Sequence, residues 1–279
     1  MTAKSLGNRV AGSPFLRNAA FSLIRSSLQE KLVYRFDLVV GLLKTFIFIV
    51  VFRYLWIALY GGRDAYAGVT IDQTITYVTM SMVITPLFPN RLILDVGNRI
   101  RTGNILFDIT RPLYYGDLLL FQNMGQFVAT FLTSSLPMFV LACLLIEMTL
   151  PASLVVWLAF LISLFLGFLT AFLVDFLFSL SGFWITETWG IFFAKWGVVD
   201  ILGGKYLPLW IFPLVFKQIV LILPFRGINY TPLSILVGTV SPRRIPAELG
   251  FQILWIVLLA CLGRLIYAAA VKKLAVQGG

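Results

Sequence analysis

Five ionic side chains, Asp95, Arg99, Arg101, Asp108 and Arg111, fall in the stretch LDVGNRIRTGNILFDITRPL, Leu94 to Leu113, of an otherwise apolar chain. Together with the amides of Asn98 and Asn104 they offer charged and hydrogen-bonding contacts to a partner rather than a nucleophile. Leu92, Ile93, Val96, Ile100 and Phe107 can share one broad helical face, leaving the polar residues on the other. Asp95 precedes Arg99 by four, the favoured order for a helical ion pair. Gly103-Asn104 reads as a helix stop, followed by a turn before Arg111-Pro112. The pattern predicts a short amphipathic helix lying parallel to a membrane. A plain surface connector has the same periodicity, and the residues alone leave both readings open.

Catalytic chemistry has less support. The chain has no histidine, which removes imidazole acid–base catalysis, HExxH metal sites and histidine proton relays. Its acidic residues are scattered, with no DxxD pair on a loop. Cys143 and Cys261 lie inside apolar runs and read as small hydrophobes, so neither a disulfide framework nor a metal site is expected. No GxxxxGK[ST] phosphate loop occurs: Gly204-Lys205 is followed by Tyr206 and lacks the earlier glycine. ATP hydrolysis is not expected of this chain alone.

The elements that position these residues are membrane elements. Of 279 residues, 59% are hydrophobic and 12% charged, against about 25% charged in soluble domains. Mean hydropathy is +0.93. A hydrocarbon core of about 30 Å needs roughly 20 apolar residues per helix. Six such spans are expected: Leu38–Leu59, Ile71–Pro89, Leu118–Ile146, Leu154–Gly182, Trp184–Leu202 and Leu249–Ala270. The expected fold is an all-α polytopic bundle, with a cytoplasmic arm over 1–37, a six-span membrane domain over 38–271 and a basic tail over 272–279. Between the fifth and sixth spans, Gly203–Pro246 is apolar but broken by prolines and glycines. It reads as helices that dip into the membrane and return.

Before the first span no apolar run resembles a signal peptide. Ser13-Pro14 looks like a helix start, and the residues after it predict an amphipathic helix on the membrane surface or packed on the bundle. The net charge of +10 does not point to nucleic acid, because the basic residues cluster at span ends where anionic lipid and orientation rules place them. Six spans put both termini on one side. The basic arm, the Arg91–Arg111 connection and Lys272-Lys273 share that side, so both termini are expected in the cytoplasm.

Of the charges within the expected spans, Lys44, Arg53, Asp175 and Lys195 are the candidates for an intramembrane role. Lys44 and Arg53 each lie within about 10 Å of a span end and can snorkel. Asp175 and Lys195 are deeper, where charges are costly and usually paired. A structural ion pair and a substrate or gating role both fit them. The second span carries Thr74, Thr76, Thr79, Ser81 and Thr85, so it is expected inside the bundle or along a path. In the fourth, Ser163, Gly167, Ala171 and Asp175 recur every four residues as a close-packing stripe.

Three stretches give this order a family likeness. YRFDLVVGLLKTFIFIVVFRYLWIALYGG (Tyr34–Gly62), GNILFDITRPLYYGDLLLFQNMG (Gly103–Gly125) and LPFRGINYTPLSILVG (Leu223–Gly238) resemble type-2 ATP-binding-cassette exporter permeases of the small six-span branch. The resemblance implies a permease subunit working beside two copies of a separate ATPase, which would hold ATP and Mg, and a second identical or related permease. It implies a bacterial plasma (inner) membrane and a translocation path along the first, second and fifth spans. The helix around Leu92–Asn104 would be the coupling helix, with Asp95, Asn98, Arg99, Arg101 and Asn104 toward the ATPase, and the N-terminal helix would help seat that ATPase. A channel or secondary transporter independent of any ATPase, or a polytopic membrane enzyme, are the alternatives. Neither internal inverted repeats nor an exposed catalytic cluster supports them.

Overall fold

The computed structural model describes residues 35–110, 114–185 and 187–277. The expected N-terminal amphipathic helix and the Arg111-Pro112 turn lie outside the described residues. Helix α1, Arg35–Tyr60, is continuous because its run of Val, Leu, Ile and Phe contains no proline. It ends at Gly61 and Gly62, both at positive φ. A two-residue hairpin, β1 (Ala65–Tyr66) and β2 (Val69–Thr70), turns through Ala67 and Gly68, both also at positive φ. That is the backbone twist a tight hairpin demands.

Helix α2, Ile71–Ile84, starts with a capping box. Thr70 Oγ1 accepts the Gln73 N–H, and Gln73 Oε1 accepts the Thr70 N–H. Helices α3, Leu92–Arg101, and α4, Ile105–Ile109, form the charged connection. Helix α5, Tyr115–Thr130, passes through a π turn at Phe131–Ser135 into α6, Leu136–Leu145. Pro137, which has no N–H to give the preceding turn, accounts for the irregular winding. Then come α7, Leu154–Ser179, with a 3-10 turn to Phe183, and α8, Trp189–Leu202. Two short helices follow, α9, Leu214–Ile222, and α10, Tyr230–Leu236. Helix α11, Ile245–Gln277, closes the bundle and includes Lys272 and Lys273.

Four helical stretches are long and apolar enough to cross a membrane: Phe36–Tyr60, Tyr115–Leu145, Leu154–Phe183 and Pro242–Lys273. The second and fifth expected spans are shorter than the sequence implies. Helices α2 and α8 have 14 residues each, about 21 Å at the α-helical rise against the roughly 30 Å of a hydrocarbon core. Helix α8 begins at Trp189 instead of Trp184, because residues 184–185 and 187–188 are not helical.

The core sits around α2 and α7. Eleven residues of α2 are buried, including Thr74, Thr76, Thr79 and Ser81, so the hydroxyl-rich helix packs inside. Its hydroxyls serve the broken segment between α8 and α11. Tyr77 donates to the Gly204 carbonyl at 2.7 Å, Ser81 to the Lys205 carbonyl at 2.8 Å, and the Gln73 amide to the Val237 carbonyl at 3.0 Å. Irregular backbone is tolerated at membrane depth only where protein satisfies it. The small-residue stripe of α7 is likewise turned inward, with Ser163, Ala171 and Asp175 all buried. A Cβ on Gly167 would lie 2.8 Å from the Ile228 carbonyl oxygen and 2.9 Å from that of Gly227. The stripe thus lets the turn before α10 press directly on α7.

Candidate functional site: the charged connection and its buried anchor

Helix α3 buries Leu92, Ile93 and Val96, with Leu92 and Val96 packed on the C-terminal end of α7, while Asp95, Asn98 and Arg101 stay exposed. Its contact with the bundle is close. A Cβ on Gly97 would meet Thr188 Oγ1 at 2.8 Å, and a Cβ on Gly182 would sit 3.1 Å from Ile100 and 3.4 Å from the Gly97 Cα. Two glycines therefore set the depth at which α3 lies in its groove. The helix ends as expected: Thr102 N–H bonds the Asn98 carbonyl, and Gly103 adopts positive φ. Asn104 stands exposed at the corner before α4.

Two details depart from the sequence pattern. Arg99 does not form an ion pair with Asp95. Its guanidinium bridges Asp108 on α4 at 2.6 Å. Asp108 is buried, whereas Asp95 is the more exposed of the two carboxylates, so the cation goes where its absence costs more. Phe107 does not share the buried face, because the Gly103 turn rotates α4, leaving Leu106 and Phe107 exposed. Arg101 reaches Asn98 Oδ1 at 3.1 Å along the open face of α3. Partial burial pushes the Asp95 carboxyl above its ordinary range, while Arg91 and Arg99 pull it back and Asp175 pushes further.

Beneath the start of α3 lies the anchor. Lys195 Nζ donates to Asp175 Oδ1 at 2.6 Å, with the two side chains 5% and 2% exposed. The same ammonium donates to the Asn90 carbonyl at 3.1 Å, and the Leu92 N–H donates to Asp175 Oδ2 at 3.3 Å. One ion pair thus joins α7, α8 and the entry to α3. The two charges meet because α8 starts late. Counted from Trp189, Lys195 is about 9 Å along its helix, matching the roughly 12 Å of Asp175 from Phe183. A second pair, Lys205 with Asp200 at 2.6 Å, lies across a cavity of about 50 Å³ from the first. The cavity has room for a few waters.

Nearer the start of α7, Gln252 of α11 acts as a clamp. Its amide donates to the Gly227 carbonyl at 2.7 Å and the Ser163 carbonyl at 3.0 Å, while Ser163 Oγ donates back to Gln252 Oε1 at 2.9 Å. Arg226 pairs with Glu248 at 2.6 Å and stacks on Phe251. Periodicity does not single out Gln252, Gly97 or Thr188, and it marks Asp108 only as one of the charges of the connection. A lone glutamine in a largely apolar span is the one local signal for Gln252. Lys44 and Arg53 have no ion-pair partner among the described residues.

An amphipathic helix docked on the ends of apolar spans is an arrangement that transport proteins share with others, and family comparison decides between them. A family model described as ABC-2 family transporter protein matches residues 42–278. The chain belongs to the ABC-2 transporter family. It is an ABC-2 type permease, a membrane transport component and an integral membrane protein. No curated protein and no solved structure matches it. In this ABC-2 permease the matched region runs from within α1 through the end of α11, so the charged connection and its ionic anchor are parts of the family's membrane domain.

Proposed function

We propose that this chain is the permease subunit of an ABC exporter in a bacterial inner membrane, coupled through α3 to separate ATPase subunits that bind ATP and Mg. The observation that carries the reading is the placement of α3: a short helix, apolar side locked on the bundle, with Asp95, Asn98 and Arg101 exposed at its outer side. In this reading α2 and α8 complete six crossings and both termini are cytoplasmic. Two ATPase subunits and a second permease, identical or related, complete the complex. The apolar outer face of α1, including Val39, Leu43, Ile47 and Leu55, is the lipid- or permease-facing surface.

ATP-driven closure of the paired ATPases would push on the open face of α3. Because Asp175 holds the Leu92 N–H and Lys195 the Asn90 carbonyl, that push passes into α7 and α8 together. The two states differ in how the permeases pack, and the partner's differential binding selects between them. Arg99 supports the α3–α4 corner through Asp108, so partner contact falls chiefly to Asp95, Asn98, Arg101 and Asn104.

The test is Asn98→Glu with Arg101→Glu in the assembled exporter. Loss of ATP-driven transport and of ATPase co-purification, with unchanged thermal stability of the permease, is the expected result. Full transport with normal co-purification would remove α3 from the coupling role.

A further inference from the structure

A cavity of about 840 Å³ opens between the start of α1, the Pro86–Arg99 stretch and one face of α5. It lies beside the first two long helices, and Pro86–Pro89, the end of the expected second span, form part of its wall. Gln122, Gln126, Thr130 and Ser134 line it at intervals of four residues, a polar stripe about 18 Å long at the helical rise. Asn123 lines the cavity beside this stripe. The side chains of Gln122 and Gln126 have no hydrogen-bond partner among the described residues.

The charges at its mouth carry both signs. Asp37, Arg91 and Asp95 line the cavity; none forms a salt bridge among the described residues, and Arg91 and Arg99 act on Asp95 only through space. The fourth charge there, Arg99, is held by Asp108. Two carboxylates and one free guanidinium disfavour a purely anionic occupant and match a group carrying both signs. Carboxylates and amide oxygens accept hydrogen bonds, so they favour a primary ammonium, which donates three, over a quaternary one. Leu38, Leu87 and Leu119 supply apolar wall beside them.

We propose that this cleft binds a zwitterionic phosphodiester head of the phosphoethanolamine type. Its ammonium lies toward Asp37 and Asp95, its phosphate toward Arg91, and the glutamine amides complete the contacts. The same chemistry occurs in a lipid headgroup and in a soluble head compound. The site deepens the permease reading, since its occupant is a candidate cargo that touches the coupling helix through Asp95. The cleft itself requires no ATPase.

The experiment uses the full chain without ATPase, carrying Cys143→Ala, Cys261→Ala and Thr130→Cys, in nanodiscs of phosphatidylglycerol alone. The rate at which a water-soluble thiol reagent labels position 130 is measured. Monomeric dihexanoyl phosphatidylethanolamine is expected to slow labelling about tenfold at roughly ten times its Kd. Dihexanoyl phosphatidylglycerol is expected to have no effect. Glycerophosphoethanolamine separates the sources: protection by it shows that the head alone suffices, and protection by the lipid alone assigns the site to a headgroup. Asp37→Asn with Asp95→Asn must abolish protection while leaving the ligand-free rate unchanged. Absence of labelling without ligand, equal protection by phosphatidylglycerol, protection by neither zwitterion, or full protection in the double variant would each overturn the proposal. Because no ATPase is present, failure of the coupling assignment leaves these outcomes unmoved.

Discussion

Asp175 and Lys195 show what a buried charge costs and what it secures. Removing one partner leaves the other uncompensated in a water-poor interior, a loss of about 3–5 kcal/mol. Lys195→Met is therefore expected to destabilise the permease by about that amount, read by unfolding in mixed micelles, and Asp175→Leu is expected to do the same. The double variant Asp175→Leu/Lys195→Met should recover most of the loss, because no orphan charge remains. It should still loosen α3, whose first N–H and preceding carbonyl lose their partners. Stability recovered without transport would separate the anchoring role from simple neutralisation. A double variant no more stable than either single would show that the two charges do not act as a pair.

Close helix contact is set by glycines on α3 and α7. Gly97→Val would drive a branched side chain into Thr188, and overpacking of this kind costs about 1–3 kcal/mol. The expected outcome is a folded permease whose α3 is displaced, detected as faster hydrogen exchange over Leu92–Arg101 and reduced transport. Gly167→Ala tests the other side of the bundle. Its new methyl meets two backbone carbonyls that cannot rotate away, so a loss of about 1–3 kcal/mol is expected with exchange rising at residues 224–236 instead. Identical exchange maps for the two variants would mean that the two contacts are not separate. The same logic explains α2: its hydroxyls mark a helix that supplies donors to unwound neighbours.

At the scale of the whole molecule, the crossing number depends on α2 and α8, the two helices too short to span by length alone. Single cysteines in a Cys143→Ala/Cys261→Ala background test it in intact cells. Six crossings with inside termini predict that Asp64→Cys is labelled from outside, that Thr102→Cys is not, and that tags on both termini are reached only after permeabilisation. Outside labelling of Thr102→Cys would place α2 and α3 on the same side as the hairpin and end the coupling assignment. A C-terminal tag exposed on intact cells would leave α8 as a helix that does not cross. The charged connection is exposed enough for a partner, and the ATPase reading gives it one.

Apolar run length and charge distribution determined a great deal by themselves. The four long membrane helices, the amphipathic α3 with its Gly103 stop and the close-packing stripe of α7 follow from local periodicity, which the chain cannot hide. Helix ends in the apolar second half did not follow, because without polar punctuation nothing local distinguishes a helical Trp184 from an irregular one. That single uncertainty displaced Lys195 by more than a turn. Partner choice was equally invisible: Arg99 had an acidic neighbour at helical spacing, yet it pairs with Asp108, which burial made the more demanding. Gln252 reaches Ser163 and Gly227 only because the tertiary fold lays α11 along α7. Sequence fixes which residues want burial or neutralisation, since that is a property of the side chain. Only the packed structure decides which partner satisfies them, since that depends on which groups lose water together.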